Sequence, residues 1–249
     1  MSTGYAQVNG LKMYYEEHGD GSPVVLLHGG VLTVELSFSS MLPELAKRHR
    51  VIAPELQGHG HTADIERPIT VGALAEDVRG LLDHLGVERA AVFGFSLGGF
   101  VALQLAMAHP ERVTKAVVAS AQVRPDGMHP EISDPERWAE SRRMPTEDDF
   151  REMRETYLKV APHPEYFEAF MAKTSAAAQS FQGWSDDEVR GIAVPTLIVV
   201  GDEDFVTLEH AVEMREMIPD AQLAVLPDTT HQAVTHRPEL IPIIERFLS

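Results

Sequence analysis

The chain has 249 residues, 44% of them hydrophobic and 24% charged, a balance that excludes disordered and collagen-like chains. Thirty-eight acidic against 21 basic side chains leave a formal charge of −17, which repels phosphate backbones and anionic lipid and argues against nucleic-acid and membrane-surface roles. Without cysteine there are no disulfides and no thiolate metal sites.

The start of the chain has no basic stretch followed by an apolar run, so no signal peptide is expected. Residues 4–8 and 12–17 read as an antiparallel hairpin joined at Asn9-Gly10, a dipeptide suited to a two-residue turn. Short apolar runs at 24–27, 51–53, 90–95, 113–119 and 196–200 lack polar alternation, as strands do when helices cover both sheet faces. Between them, Leu74, Val78, Leu81, Leu82 and Leu85 form one apolar helical stripe. Ala102, Leu105, Ala106 and His109 form a second, closed by Pro110. Leu240, Ile243, Ile244 and Phe247 form a last amphipathic helix. The uncharged stretch 90–108 is long enough to span a membrane, but Ser96, Gln104 and three glycines interrupt it. It reads as a buried strand, a tight turn and a buried helix, and the protein is expected to be soluble and cytoplasmic. Alternating strands and helices imply an α/β fold with a mostly parallel sheet.

From 124 to 190 the rhythm breaks. No buried strand run occurs there, and charge and proline both rise. Three helix starts are expected from a capping hydroxyl three residues before an acid: Ser133 with Glu136, Thr146 with Asp149, and Ser185 with Glu188. Aromatics concentrate in the same stretch, among them Trp138, Phe170 and Trp184. The expected organisation is a core of residues 1–123 and 191–249, with 124–190 as a helical lid folded over the sheet's carboxyl end.

Gly94-Phe95-Ser96-Leu97-Gly98 matches G-x-S-x-G, with a buried strand before it and a helix after it. A serine on such a turn is held in a strained backbone, and flanking glycines let strand and helix approach. Its hydroxyl projects at a helix N-terminus, where amide N–H groups favour an anion. A serine nucleophile needs a histidine base, and the base needs an acid to orient it. Asp202 and Asp204 follow the 196–200 strand, while His231 and His236 precede the last helix. The residues alone leave both choices open. One oxyanion donor is expected to be the N–H of Leu97, directly after the serine.

The whole pattern resembles the α/β-hydrolase family, in its small lidded branch of serine esterases, perhydrolases and carbon–carbon bond hydrolases. The resemblance covers nearly the full chain. It rests on His28-Gly29-Gly30 after the first core strand, Gly58-His59-Gly60, the serine turn, the segment 194–207 and the terminal histidine. It implies a doubly wound sheet of about eight strands with a helical lid after the sixth. It also implies Ser96, Asp204 and His231 as the catalytic triad, since relatives with G-D-x-D use the second aspartate. Gly30 becomes the second oxyanion donor, and His28 a residue that pins its loop. The sequence departs from the family at Thr230, where glycine is common, and at Glu55, Gln57 and Thr62.

Phe95, Trp138, Trp184, Phe205 and Val206 are expected to line an apolar substrate pocket. His59 and His61 are read as structural rather than as metal ligands. The expected protein is thus a cofactor-free, metal-free hydrolase acting with water on a small, largely apolar ester or lactone, because no Arg or Lys adjoins Ser96, Asp204 or His231 in sequence, and its acidic charge argues against nucleic-acid or membrane partners.

Overall fold

Asn9 and Gly10 both take positive φ, 48° and 81°, and join β1 (Ser2–Val8) to β2 (Leu11–His18) through the tight turn their types favour. The computed structural model describes residues 1–249, apart from the side chains of Pro135, Ala139 and Glu140. After the hairpin come β3 (Ser22–Leu27), α1 (Val34–Phe38), α2 (Leu42–Leu45), β4 (His49–Pro54) and α3 (Val71–His84). Next are β5 (Ala90–Phe95), α4 (Leu97–Ala108) and β6 (Val113–Ala119). The helices α5 (Pro130–Ser133), α6 (Glu147–Val160), α7 (Phe167–Ser180) and α8 (Asp186–Arg190) then precede β7 (Thr196–Glu203). The chain ends with α9 (Leu208–Met217), β8 (Ala221–Thr230) and α10 (Leu240–Leu248).

The eight strands form one sheet in the order β1-β2-β4-β3-β5-β6-β7-β8. β2 runs antiparallel to both neighbours, and every pair from β4 to β8 is parallel. Strand alternation sorts the core into two layers. Val25, Leu27 and Ile52 face Leu81, Leu105 and Met214 of α3, α4 and α9, while Val24, Leu26, Val51 and Phe93 face Phe38, Leu45 and Ile244 on the other side. Burial on both faces explains why these strands read as continuous apolar runs. The uncharged stretch 90–108 divides at Ser96 into β5 and α4. Among the described residues no helix is long and apolar enough to cross a membrane.

Two of the three expected capping boxes form, Thr146 with Asp149 on α6 and Ser185 with Glu188 on α8. The third does not. Ser133 ends α5, and the Asp134 carboxylate instead accepts from the Glu136 N–H to cap the following short 3-10 helix. A carboxylate directly before a proline took the place of the serine hydroxyl.

The helices between β6 and β7 leave and rejoin the core at one point. The Trp184 N–H donates to the Val123 carbonyl at 3.0 Å, and its indole N–H donates to Gln104 of α4 at 3.0 Å. Arg124 bridges Glu213 of α9 and Asp186 of α8. On the far side, Lys173 of α7 donates to both Asp64 oxygens at 2.7 and 2.8 Å, and the Phe170 ring meets the His59 ring edge-on at 4.8 Å.

Candidate active site

Ser96 sits between β5 and α4 with φ 52° and ψ −115°, the strained left-handed geometry expected of its turn. The turn is possible because its neighbours lack side chains. A Cβ on Gly94 would strike the Gly98 carbonyl, and one on Gly98 would strike the Leu27 carbonyl, so strand and helix backbones are in direct contact.

The Ser96 hydroxyl faces Nε2 of His231 at 3.0 Å. Nδ1 of the same ring donates to Oδ1 of Asp204 at 2.6 Å, which fixes the tautomer and leaves Nε2 as the acceptor. His231 is buried at the first position after β8, and its ring stacks on Phe205 at 3.8 Å with the planes 7° apart. The Phe95 ring lies 5.1 Å away on the strand that carries the serine. Asp204 is fully buried and accepts four hydrogen bonds. Oδ1 takes the Phe205 N–H at 2.6 Å besides His231, while Oδ2 takes the Ser120 hydroxyl at 2.5 Å and the Gly201 N–H at 3.2 Å. Burial opposes its ionisation, but the His231 charge and the bonds from His231, Ser120 and Gly201 outweigh it and hold the carboxyl below its ordinary value.

The competing candidates lie elsewhere. Asp202 accepts from the Thr229 N–H at 3.0 Å; this bond and one from the Asp228 N–H lower its carboxyl. His236 is exposed at the end of the turn that begins with His231.

The loop after β3 is pinned by His28. Its Nε2 accepts from the Leu56 N–H at 3.0 Å, and Nδ1 donates to the Gly29 carbonyl at 2.8 Å. Burial, together with the neighbouring His59, pushes the His28 ring down to about 3, so it is neutral. Val31 has φ 63°, an uncommon geometry for a β-branched residue. A Cβ on Gly30 would lie 3.8 Å from the Leu97 Cβ, so the two expected oxyanion donors are neighbours. Neither N–H finds an acceptor among the described residues. Leu97 is the first residue of α4, where an N–H has no intrahelical partner.

Of the expected pocket aromatics, Phe95 and Phe205 meet the His231 ring. Val206 is buried in the same loop and bridges to Met128. Trp184 packs against Phe100 and Phe181 over α4. Trp138 is 43% exposed and turns its indole N–H to the Ile132 carbonyl. A cleft of about 260 Å³ is lined by Leu32 of the loop after β3, Gln232 and His236 of the turn that begins with His231, and Asp149, Glu152 and Met153 of α6; none of the three triad residues lines it. Arg143 donates to the Asp204 carbonyl at 2.9 Å and pairs with Glu131. His59 and His61 diverge, His59 to the Gln57 carbonyl and His61 to Glu55. Among the described residues no group of three or more His, Cys, Asp or Glu side chains is placed to hold a metal ion. Ser120 was not signalled by the sequence, where it is one serine after a buried strand run.

The chain belongs to the alpha/beta hydrolase family, whose model matches residues 24–241. It is 30% identical to a 2-hydroxymuconate semialdehyde hydrolase from Pseudomonas sp. (strain CF600), over 96% of this chain and 91% of that protein. Among solved structures, a thermophilic esterase from Thermogutta terrifontis matches with a TM-score of 0.75 at 26% identity, covering 100% of this chain and 98% of that one. A meta-cleavage product hydrolase from Pseudomonas fluorescens IP01 matches with a TM-score of 0.77, covering 100% and 97%; at 22% identity this is likeness of fold alone.

Proposed function

We propose that this chain is a serine hydrolase cleaving a carboxylic ester or lactone of a small, largely apolar substrate through an acyl-enzyme. One observation carries the reading: Ser96, His231 and a buried Asp204 in a hydrogen-bonded line at 3.0 and 2.6 Å. Ser96 Oγ attacks the carbonyl carbon as its proton passes to Nε2 of His231. The N–H groups of Gly30 and Leu97 hold the oxygen that gains negative charge, each worth about 3 kcal/mol in the transition state. His231 then returns the proton to the departing alkoxide oxygen. Water, deprotonated by the same nitrogen, hydrolyses the acyl-enzyme and restores the Ser96 hydroxyl. Asp204 keeps its charge and steadies the imidazolium throughout.

Residues 124–190 act as the lid that selects substrate. An apolar preference is supported by Phe95 and Phe205, whose rings lie against the histidine. Arg143, a cation beside the acid loop, is engaged by carbonyls and Glu131. Similarity to the Pseudomonas semialdehyde hydrolase favours a second reading, in which the same triad hydrolyses a carbon–carbon bond. Perhydrolysis and acyl transfer would use the same residues. A ligand-binding protein without turnover is the reading from another class, and a complete triad counts against it.

The test is hydrolysis of short aryl esters and lactones, with 2-hydroxymuconate semialdehyde in parallel, by the parent and Ser96→Ala. Loss of ester turnover by several powers of ten in the variant is expected. Equal turnover in both proteins overturns the assignment, and turnover of the semialdehyde alone selects the carbon–carbon reading.

A further inference from the structure

Asp204 is held by more than the histidine and its own loop, and the remaining contact comes from the end of the neighbouring strand, β6. Ser120 follows the last residue of β6, 2% exposed, with its N–H donating to the Val199 carbonyl of β7 at 2.9 Å. Its backbone is left-handed at φ 56°, a geometry a non-glycine residue adopts at a cost. That bend turns the hydroxyl onto Oδ2 of Asp204 at 2.5 Å, with no other partner for the Ser120 side chain among the described residues. A carboxylate can only accept, so Ser120 is the donor.

We propose that Ser120 is a positioning residue of the triad. Its hydroxyl holds Oδ2 of Asp204, so that Oδ1 alone faces His231. The inference rests on Asp204 being the triad acid, and it adds a residue from a different strand to the machinery. Two strand ends would then locate one carboxylate: β7 through the Gly201 and Phe205 N–H groups, and β6 through a side chain. Without the Ser120 bond, Oδ2 keeps only the longer bond from the Gly201 N–H at 3.2 Å, and the carboxyl is held less firmly against the ring. Burial leaves water little access to replace the lost donor, and a hydrogen bond to a buried charge is among the stronger kinds. The backbone strain at Ser120 is accounted for on the same basis, since an unstrained bend would aim the hydroxyl elsewhere.

The experiment compares Ser120→Ala and Ser120→Gly with the parent, using an aryl ester that the parent turns over. Glycine suits the left-handed backbone better than serine, so that variant keeps the test open if the alanine variant does not fold. Both variants should lose roughly ten- to hundredfold in kcat with KM little changed. The low-field proton resonance of the His231–Asp204 bond should shift or broaden in both. A purely structural serine predicts the opposite pattern: Ser120→Gly, with strain relieved, would keep the parent's kcat and its low-field proton. That result overturns the proposal. Ser96→Ala separates the two layers of argument. If Ser96→Ala retains the parent's turnover, the triad reading itself fails; if it is inactive while Ser120→Gly is fully active, only the role of Ser120 fails.

Discussion

Lowering the pH from about 7 to about 4 protonates, in the unfolded chain, two histidines that the folded chain holds neutral over most of that range. His59 is 1% exposed, and burial lowers its ring from 6.5 to about 4. Between those values the unfolded chain binds the proton and the folded chain does not, so stability is intact above 6.5 and falls as the pH falls. The interval is about 2.5 pH units, and at about 1.36 kcal/mol per unit His59 alone removes about 3 kcal/mol by pH 4. His28, lowered further to about 3, acts in the same direction over the same interval. The rings are 4.9 Å apart, so their protons compete. The pair should together cost between about 3 and 7 kcal/mol, a large part of a typical folding stability. Urea denaturation of the parent and His59→Gln at pH 7 and pH 4 isolates the effect from the titrating carboxylates. Glutamine starts with some loss of packing at pH 7, but the parent should then lose about 3 kcal/mol more than the variant on acidification. Parallel curves for the two proteins would refute the reasoning.

Two further outcomes distinguish site from scaffold. Asp204→Asn should lower kcat roughly ten-thousandfold by leaving the wrong tautomer on His231, whereas Asp202→Asn should leave kcat near the parent's, because an asparagine oxygen still accepts from the Thr229 N–H; steady-state kinetics on both variants decides the acid. Gly98→Ala drives a methyl into the Leu27 carbonyl and should cost about 3 kcal/mol or more, read as a fall in Tm; an unchanged Tm would mean that the strand and helix are not in contact there.

What could be read in advance follows the range of the forces involved. Asn9-Gly10, the flat apolar runs and the G-x-S-x-G turn are local signals, and the corresponding hairpin, strands and elbow are in place. Asp204 and His231, 27 positions apart, are legible only through the family pattern, and the structure brings them within 2.6 Å. The region between β6 and β7 was less legible because short helices with many prolines offer competing caps; Asp134 displaced Ser133 for that reason. Aromatic content alone did not say where each ring would point. Phe205 stacks on His231 while Trp138 is 43% exposed, a difference that residue type and spacing do not encode. Ser120 was invisible for another reason: a left-handed bend at a serine has no signature in residue type.

The bond between the Trp184 N–H and the Val123 carbonyl means that the chain departs from the sheet and comes back through a single gateway. The segment between those two residues can change in length without altering the distance that any strand must bridge, so long as its contacts with Val206, Asp204, Asp64 and His59 are kept. If that segment selects the substrate, as proposed above, grafting another sequence between those posts is the most direct way to redirect it.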